Sequence, residues 1–191
     1  MNVVAFNGSV RKSGNTDWLI RRCFTELERE GIKTEQVDLG VKPFLGCTAC
    51  YKCFDNKDHR CAVANDDMNS HITKMITADG IILASPTYFA DVSVGMKALI
   101  ERAGMVARAN NNHLRQKVGA GIVAVRREGG LTVFNTINNF FMIGEMIIVG
   151  SSYWNIARGR LPGEVASDEE GVQTITKLGQ NMAWLIKKLK A

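Results

Sequence analysis

The chain has 191 residues, of which 46% are hydrophobic and 23% charged, as is typical of a globular protein with a sizeable core. Its net charge is +5, but the basic residues are scattered along the chain and form no stripe for binding nucleic acid. No apolar run reaches the roughly 18 residues that a membrane span needs, and the chain opens on a strand pattern rather than an export signal. The sequence therefore predicts a soluble, cytoplasmic protein, folded as a single domain over residues 1–191, without nucleic-acid or membrane partners.

A strand, a helix and a second strand are predicted over residues 2–39. The apolar run Asn2–Phe6 favours a central strand. In the helix that follows, apolar residues recur at helical spacing, and Gly31 ends the pattern. Cys23 lies on this apolar face, so it is predicted to be a core thiol rather than a ligand. The second predicted strand is Lys33–Leu39.

Residues 40–65 show neither helical nor strand periodicity. Long loops are uncommon in compact domains and are usually functional. This one holds four of the five cysteines of the chain. A short helix is predicted to follow it, capped by Asp66 or Asp67 and extending to Met75.

Three more strands alternate with helices in the rest of the chain. The predicted strands are Gly80–Ser85, Lys117–Val125 and Ile147–Gly150, and the helices begin near Ser93, Thr132 and Asp168. Residues 151–167 are predicted to be irregular. Five strands that alternate with helices predict an α/β fold, a doubly wound parallel sheet with helices on both faces.

The segment Gly8–Thr16 joins the first strand to the first helix and is predicted to bind phosphate. Loop N–H groups and the positive end of the helix point at the same spot there. The side chains suited to a phosphate are Ser9, Arg11, Ser13, Asn15 and Thr16. A P-loop is excluded because five residues, not four, separate Gly8 from Gly14, and no Gly-x-Gly-x-x-Gly dinucleotide motif is present. An ordinary strand–helix turn remains the alternative.

Two further loops follow the third and fourth strands, and ligands of such sheets bind at this edge. The second loop of this edge, counting the phosphate loop as the first, contains Pro86, Thr87, Tyr88 and Phe89, which offer an aromatic platform and N–H groups for a planar ring; core packing is the alternative for one aromatic residue. In the third loop, Arg126–Gly130, the two final glycines allow close backbone approach. Together with the phosphate loop, these loops predict a site for flavin mononucleotide (FMN). The nearby Tyr153, Trp154 and Asn155 either cover the flavin or pack the last helix against the sheet.

The clustered cysteines follow the pattern Cys47-x2-Cys50-x2-Cys53-x7-Cys61. Two consecutive two-residue gaps bring three thiolates onto one turn, which suits three corners of a [4Fe-4S] cluster. Zinc sites more often use two separated Cys-x2-Cys pairs. The spacing favours the iron–sulfur cluster, while zinc and a metal-free set of thiols or a regulatory disulfide remain open.

Several motifs resemble the NADPH-dependent FMN reductase branch of the flavodoxin-like fold over about residues 2–150. They are Gly-Ser-x-Arg-x-x-Gly-Asn-Thr from Gly8, Ser-Pro-Thr-Tyr-Phe from Ser85, Met96-Lys97 and Glu101-Arg102. The resemblance implies the strand order 2-1-3-4-5 and FMN phosphate contacts at Ser9, Arg11, Ser13, Asn15 and Thr16. It implies ring contacts at Pro86, Thr87, Tyr88, Phe89, Glu128, Gly129 and Gly130. The Arg126–Gly130 loop differs from the usual glycine loop of these reductases.

With the cysteines included, the sequence resembles the iron–sulfur flavoproteins. That resemblance implies Cys47, Cys50, Cys53 and Cys61 as cluster ligands, and a homodimer or homotetramer in which the cluster of one protomer approaches the flavin of another. We expect electrons to pass between the cluster and FMN, from ferredoxin or NAD(P)H to oxygen, peroxide or a quinone, without a catalytic acid or base. The alternatives are an NAD(P)H-dependent FMN or quinone reductase with a zinc-bound or disulfide loop, and a non-enzymatic flavodoxin-like binding module.

Overall fold

One parallel sheet organises the chain, in a computed structural model that describes residues 1–41, 43–63 and 65–191. The strands are β1 (Asn2–Asn7), β2 (Lys33–Asp38), β3 (Gly80–Pro86), β4 (Val118–Val125), β5 (Ile147–Ile148) and β6 (Ile156–Arg158). The helices are α1 (Asn15–Arg29), α2 (Lys52–Asn56), α3 (Met68–Thr77), α4 (Val94–Ala109), α5 (Gly130–Ile143) and α6 (Glu169–Lys190). Short 3₁₀ turns cover Leu39–Val41 and Glu164–Ser167.

The strand order is β2-β1-β3-β4-β5, and all of these pairs are parallel, which confirms the predicted fold class. The order reverses between β1 and β3, so the loops that follow these two strands leave the sheet side by side. In doubly wound sheets this switch point is where ligands bind.

The two faces of the sheet are buried in two separate cores. Val4 and Phe6 of β1 contribute to the core under α3, α4 and α5, whereas Val3 and Ala5 contribute to the core under α1 and α6. Burial on both faces explains why β1 has a continuous apolar sequence instead of an alternating one. Cys23 of α1 is fully buried in the second core, as predicted.

The outer position beside β4 is filled by two short segments rather than one strand. Ile147 and Ile148 pair with the start of β4, whereas β6 pairs with its end. Residues 156–158, predicted to be irregular, thus form a strand. The polar segment between β5 and β6 leaves the ladder with β4. Pairing resumes at Asn155, whose carbonyl accepts a 2.9 Å hydrogen bond from the N–H of Val123.

The predicted long loop contains the end of the Leu39–Val41 turn and one short helix, α2, and otherwise lacks regular structure in the residues that are described. The next helix begins at Met68, close to the predicted cap, and extends to Thr77. The helices α4 and α6 begin next to Ser93 and Asp168, as predicted, and both residues cap their helices through their side chains. None of the helices in the described ranges combines the length and the apolar character needed to cross a bilayer.

Candidate functional site

The loop between β1 and α1 is held tightly against β3. The N–H of Gly8 donates to the carbonyl of Ala84 at 2.8 Å. A Cβ atom on Gly8 would lie 2.6 Å from Oγ of Ser93, so a larger residue there would displace the hydroxyl that caps α4. Ser9 turns the chain: its N–H donates to Oδ1 of Asn7 at 3.0 Å, and its Oγ accepts from the N–H of Arg11 at 3.1 Å.

The N-terminus of α1 has no side-chain cap. Gly14 occupies the cap position in an extended conformation, without a side chain that could accept from the first turn. The N–H groups of a first turn have no partner within the helix, and they carry the positive end of its dipole. This helix start is therefore suited to a bound phosphate.

A cavity of about 370 Å³ opens at this helix start. Its lining residues are Ser9, Arg11, Asn15, Thr16, Pro86, Thr87, Tyr88, Ala124, Arg126, Gly159, Arg160 and Pro162. Four predicted phosphate contacts and three predicted ring contacts thus share one cavity. Ser13 is not among them; it is exposed and has a positive φ of 51°.

Thr87 supplies a direct test of whether this cavity fits FMN. Its Oγ1 atom is buried and has no hydrogen-bond partner in the described protein. Buried hydroxyl groups are normally paired, and an unpaired one lowers stability. A flavin nucleotide presents many polar atoms, so the unpaired hydroxyl and the anion-binding helix start both fit it.

Phe89 does not line the cavity. Tyr88 and Asp91 exchange two backbone hydrogen bonds of 3.0 and 3.1 Å, which close a tight turn. Phe89 and Ala90 sit in this turn with positive φ angles of 48° and 60°, and the Phe89 side chain is fully exposed. The role of Phe89 as a ring contact within one chain stays a prediction.

The third predicted loop packs against the second. Gly129 has a φ of 84°, and a Cβ atom there would lie 3.1 Å from Cβ of Ala90 and 3.4 Å from Cγ2 of Thr87. The residues Glu128, Gly129 and Gly130 line a neighbouring cavity of about 370 Å³ rather than the phosphate cavity. Their contact with a flavin ring therefore also stays a prediction.

Tyr153 and Trp154 line the same neighbouring cavity. Their rings meet edge to face at 4.6 Å, and both are about half exposed. Asn155 is instead buried, where its Oδ1 accepts from Oγ of Ser151 at 2.5 Å. The two aromatic residues thus stand beside the third loop, while Asn155 has a structural position.

All four clustered cysteines line one small cavity of about 20 Å³. Its lining residues are Cys47, Thr48, Cys50, Tyr51, Cys53, Cys61, Ala62, Arg102, Met105 and Val106. Cys53 is buried, and its Sγ lies 3.9 Å from the carbonyl oxygen of Met105 on α4. Positive φ angles at Ala49 and Tyr51 turn the chain between the first three cysteines. In the described ranges, no three His, Cys, Asp or Glu side chains are close enough together to hold a single metal ion.

The thiols of this cavity influence one another. Burial raises the pKa of Cys53, and the charges of Cys47, Cys61 and Cys50 raise it further. By contrast, hydrogen bonds from the backbone N–H of Lys52 and the hydroxyl of Thr48 lower the pKa of Cys50. Four thiols in one electrostatic neighbourhood form a donor set that fits a cationic iron–sulfur core.

Helices α3 and α4 hold the cysteine loop through residues whose roles the sequence patterns did not indicate. Glu101 accepts from the N–H of Cys47 at 3.2 Å, and the side-chain amide of Asn69 binds the backbone of Cys61. Arg102 is fully buried against Cys61 and Asp66. The sequence signal that could have identified Arg102 is its position on the apolar face of α4, in line with Leu99 and Val106.

The fold and the phosphate cradle are those of a flavodoxin-like protein, here with a cysteine cavity added. The model of the NADPH-dependent FMN reductase family matches residues 1–160. An iron–sulfur flavoprotein of Methanocaldococcus jannaschii is 36% identical over 197 residues, with all of both chains covered. An iron–sulfur flavoprotein of Methanosarcina thermophila is 29% identical over 198 residues, covering 100% of this chain and 97% of that one.

A solved flavodoxin from the domain Archaea shares the fold with a TM-score of 0.63 and 14% identity, covering 98% of this chain and 99% of that one. The chain belongs to the iron–sulfur flavoproteins of the NADPH-dependent FMN reductase family. It is accordingly an FMN-dependent oxidoreductase.

Proposed function

We propose that the protein transfers electrons between a [4Fe-4S] cluster held by Cys47, Cys50, Cys53 and Cys61 and an FMN held beside the phosphate loop. The donor is a small carrier, ferredoxin or NAD(P)H, and the acceptor is oxygen, peroxide or a quinone. The observation that carries the proposal is the presence of both donor sets on one chain: four cysteines around one cavity, and an anion-binding helix start beside an unpaired Thr87 hydroxyl. The names of the curated relatives support an iron–sulfur centre and a flavin, and the family model supports FMN as that flavin.

The cluster supplies single-electron transfer when bound, and FMN supplies one- or two-electron chemistry. The chain contributes binding and orientation. Ser9, Thr16 and the first turn of α1 hold the phosphate, and Arg11 adds positive charge. Thr87 donates its hydroxyl to the flavin, because it has no partner among the described residues. Electron transfer itself needs no proton donor from the protein, so we assign no catalytic acid or base.

We further propose a homodimer or homotetramer, located in the cytoplasm, in which the cysteine loop of one protomer faces the flavin cavity of another. Exposed apolar side chains near the flavin cavity support this. Phe89 is fully exposed, and Val10, Val94 and Leu161 are each more than half exposed. A second copy of the chain would remove this apolar surface from water.

Anaerobic purification followed by absorption spectroscopy and by FMN, iron and sulfide analysis tests the proposal. We expect FMN, iron and acid-labile sulfide together. Cys53→Ser should lose iron and sulfide but keep FMN. Cys23→Ser is the matched control and should keep all three, because Cys23 lies in the core under α1 and α6. Zinc without sulfide would contradict the cluster assignment.

The alternative function is an NAD(P)H-dependent FMN or quinone reductase whose cysteine loop binds zinc or forms a disulfide. Arg126 and Arg160 favour it, because both line the phosphate cavity and offer charge for the phosphates of a second nucleotide. It predicts rapid bleaching of the flavin by NADPH alone under anaerobic conditions, unchanged in Cys53→Ser. Failure of the apoprotein to bind FMN would contradict both functions and favour a non-enzymatic binding module.

A further inference from the structure

Arg102 is a buried cation beside a proposed cluster ligand. Its side chain is 0% exposed, whereas that of its carboxylate partner Asp66 is 14% exposed. Arginine is almost never fully buried unless it is paired, since the loss of hydration is costly. The hydrogen-bond partners of Arg102 therefore indicate which parts of the structure it stabilises.

The guanidinium contacts both arms of the cysteine loop. Its Nε donates to Sγ of Cys61 at 3.3 Å. Its two terminal nitrogens bind the carboxylate of Asp66: Nη1 donates to Oδ2 at 2.5 Å, and Nη2 donates to Oδ1 at 3.1 Å. Nη1 also donates to the carbonyl of Leu45 at 3.4 Å, and Nη2 to the carbonyl of Val63 at 2.5 Å. Leu45 lies two residues before the first cysteine of the loop, and Val63 lies two residues after the last. One side chain from α4 thus joins the beginning and the end of the cysteine motif.

We propose that Arg102 is a positioning residue for the iron–sulfur cluster, which orients Cys61 as a ligand and raises the reduction potential of the cluster through its N–H···S hydrogen bond. The inference rests on the proposed function, in which the cluster is held by these cysteines. Reduction adds negative charge to the cluster and its sulfur ligands, so a charge-assisted donor on one sulfur stabilises the reduced state more than the oxidised state.

Asp66 limits how far Arg102 raises the reduction potential of the cluster. Its carboxylate faces the guanidinium with two oxygens and offsets much of the positive charge next to Cys61. Lysine could not replace arginine here, because only the planar fork of arginine can bind a carboxylate with two nitrogens while a third reaches the sulfur. The two residues should therefore affect the potential in opposite directions.

The test is a redox titration of the anaerobically purified holoprotein, followed by the EPR signal of the reduced cluster, with iron and sulfide content measured in parallel. The variants are Arg102→Gln, which removes the cation, and Asp66→Asn, which removes the carboxylate charge but keeps an oxygen for the N–H of Met68. Arg108→Gln is the matched control, because Arg108 is exposed on the same helix.

Arg102→Gln should make the cluster harder to reduce, by about tenfold in the reduced-to-oxidised ratio at a fixed potential, or about 59 mV for one electron. Asp66→Asn should shift the potential in the opposite direction, and Arg108→Gln should not shift it. Unchanged potentials in both loaded variants, or shifts of the same sign, would overturn the inference. If Arg102→Gln binds no cluster, the test rests on Asp66→Asn. A higher reduction potential of the cluster in Asp66→Asn supports the inference, and an unchanged or lower potential overturns it. A wild-type protein without iron and sulfide would instead overturn the proposed function.

Discussion

Asn69 binds the backbone of Cys61 at both of its polar atoms. The N–H of Cys61 donates to Oδ1 of Asn69 at 2.8 Å, and Nδ2 of Asn69 donates to the carbonyl of Cys61 at 3.0 Å. Asn69 is buried in α3, a regular helix, so it fixes the last cysteine of the loop to a rigid part of the fold.

Asn69→Ala should therefore destabilise the protein. The substitution leaves two polar backbone groups of Cys61 without partners, at a cost of about 1–3 kcal/mol in the free energy of unfolding. Urea denaturation of the apoprotein measures this loss. Asn139→Ala, at an exposed position of α5, is the control and should stay within about 0.5 kcal/mol of wild type. Equal effects of the two substitutions would contradict a role for Asn69 in holding the loop.

The reactivity of the thiols should differ widely in the native apoprotein. Hydrogen bonds from the Lys52 N–H and the Thr48 hydroxyl lower the pKa of the exposed Cys50, whereas burial raises the pKa of Cys23 to about 12. Because the thiolate is the nucleophile, brief treatment with iodoacetamide should modify Cys50 first and Cys23 only after unfolding. Peptide mass spectrometry checks this order. Modification of Cys23 in the folded protein would show that the core opens more readily than its burial implies.

The sequence was informative wherever one local pattern determined the outcome. The apolar run of β1 predicted a central strand, which the sheet order confirms. The spacing of Cys47, Cys50 and Cys53 predicted three cysteines on one turn, and in the structure they line one cavity. The helix starts at Ser93 and Asp168 could also be predicted, because the signals that begin a helix lie within one helical turn.

Contacts between distant segments could not be predicted from the sequence in the same way. Arg102 is paired with a sulfur 41 residues away and a carboxylate 36 residues away, so its place on the apolar face of α4 indicates burial but no local pattern indicates its partners. β6 has three residues, and its ladder depends on β4, so its own sequence carries a weak signal. The exposure of Phe89 depends on a positive φ in a tight turn, a conformation that aromatic residues seldom adopt.

Thr87→Val should weaken FMN binding without destabilising the apoprotein. The buried hydroxyl has no partner in the part of the chain that the structure describes, so its replacement by a methyl group should leave the stability of the apoprotein unchanged or raise it. FMN affinity should fall about 2- to 10-fold, as expected for the loss of one hydrogen bond. Flavin fluorescence titration and thermal unfolding of the apoprotein provide the two readings. Thr132→Val, at an exposed position of α5, should change neither; an unchanged FMN affinity in Thr87→Val would argue against the hydroxyl as a flavin contact.

His113 should make the protein sensitive to mild acid. Burial, then the nearby charges of His59 and Lys117, lower the pKa of His113 from 6.5 to about 4. A histidine with a lowered pKa binds its proton more readily in the unfolded chain. Its contribution to stability is therefore present above about pH 6.5 and is lost as the pH falls towards about 4. Urea unfolding across this range should show a weaker pH dependence in His113→Gln than in wild type, and parallel curves would contradict the assignment.

Gly129 and Gly163 offer a matched pair for measuring how tightly the second and third loops fit. Both have strongly positive φ angles, of 84° and 82°, so alanine is strained at either position. At Gly163 a new Cβ atom would have no described atom within 4 Å, whereas at Gly129 it would lie 3.1 Å from Cβ of Ala90. Gly163→Ala should cost about 1–2 kcal/mol from backbone strain alone.

Gly129→Ala should cost more than Gly163→Ala, because the strain is joined by a clash that pushes the second loop away from the third. The same displacement moves Thr87, which lies 3.4 Å from the new atom, so FMN binding should weaken in Gly129→Ala but not in Gly163→Ala. Chemical denaturation and FMN titration of both variants separate the two effects. Equal losses of stability together with equal FMN affinities would mean that the loops yield to the methyl group, and that the close approach of Gly129 to Ala90 does not shape the flavin cavity.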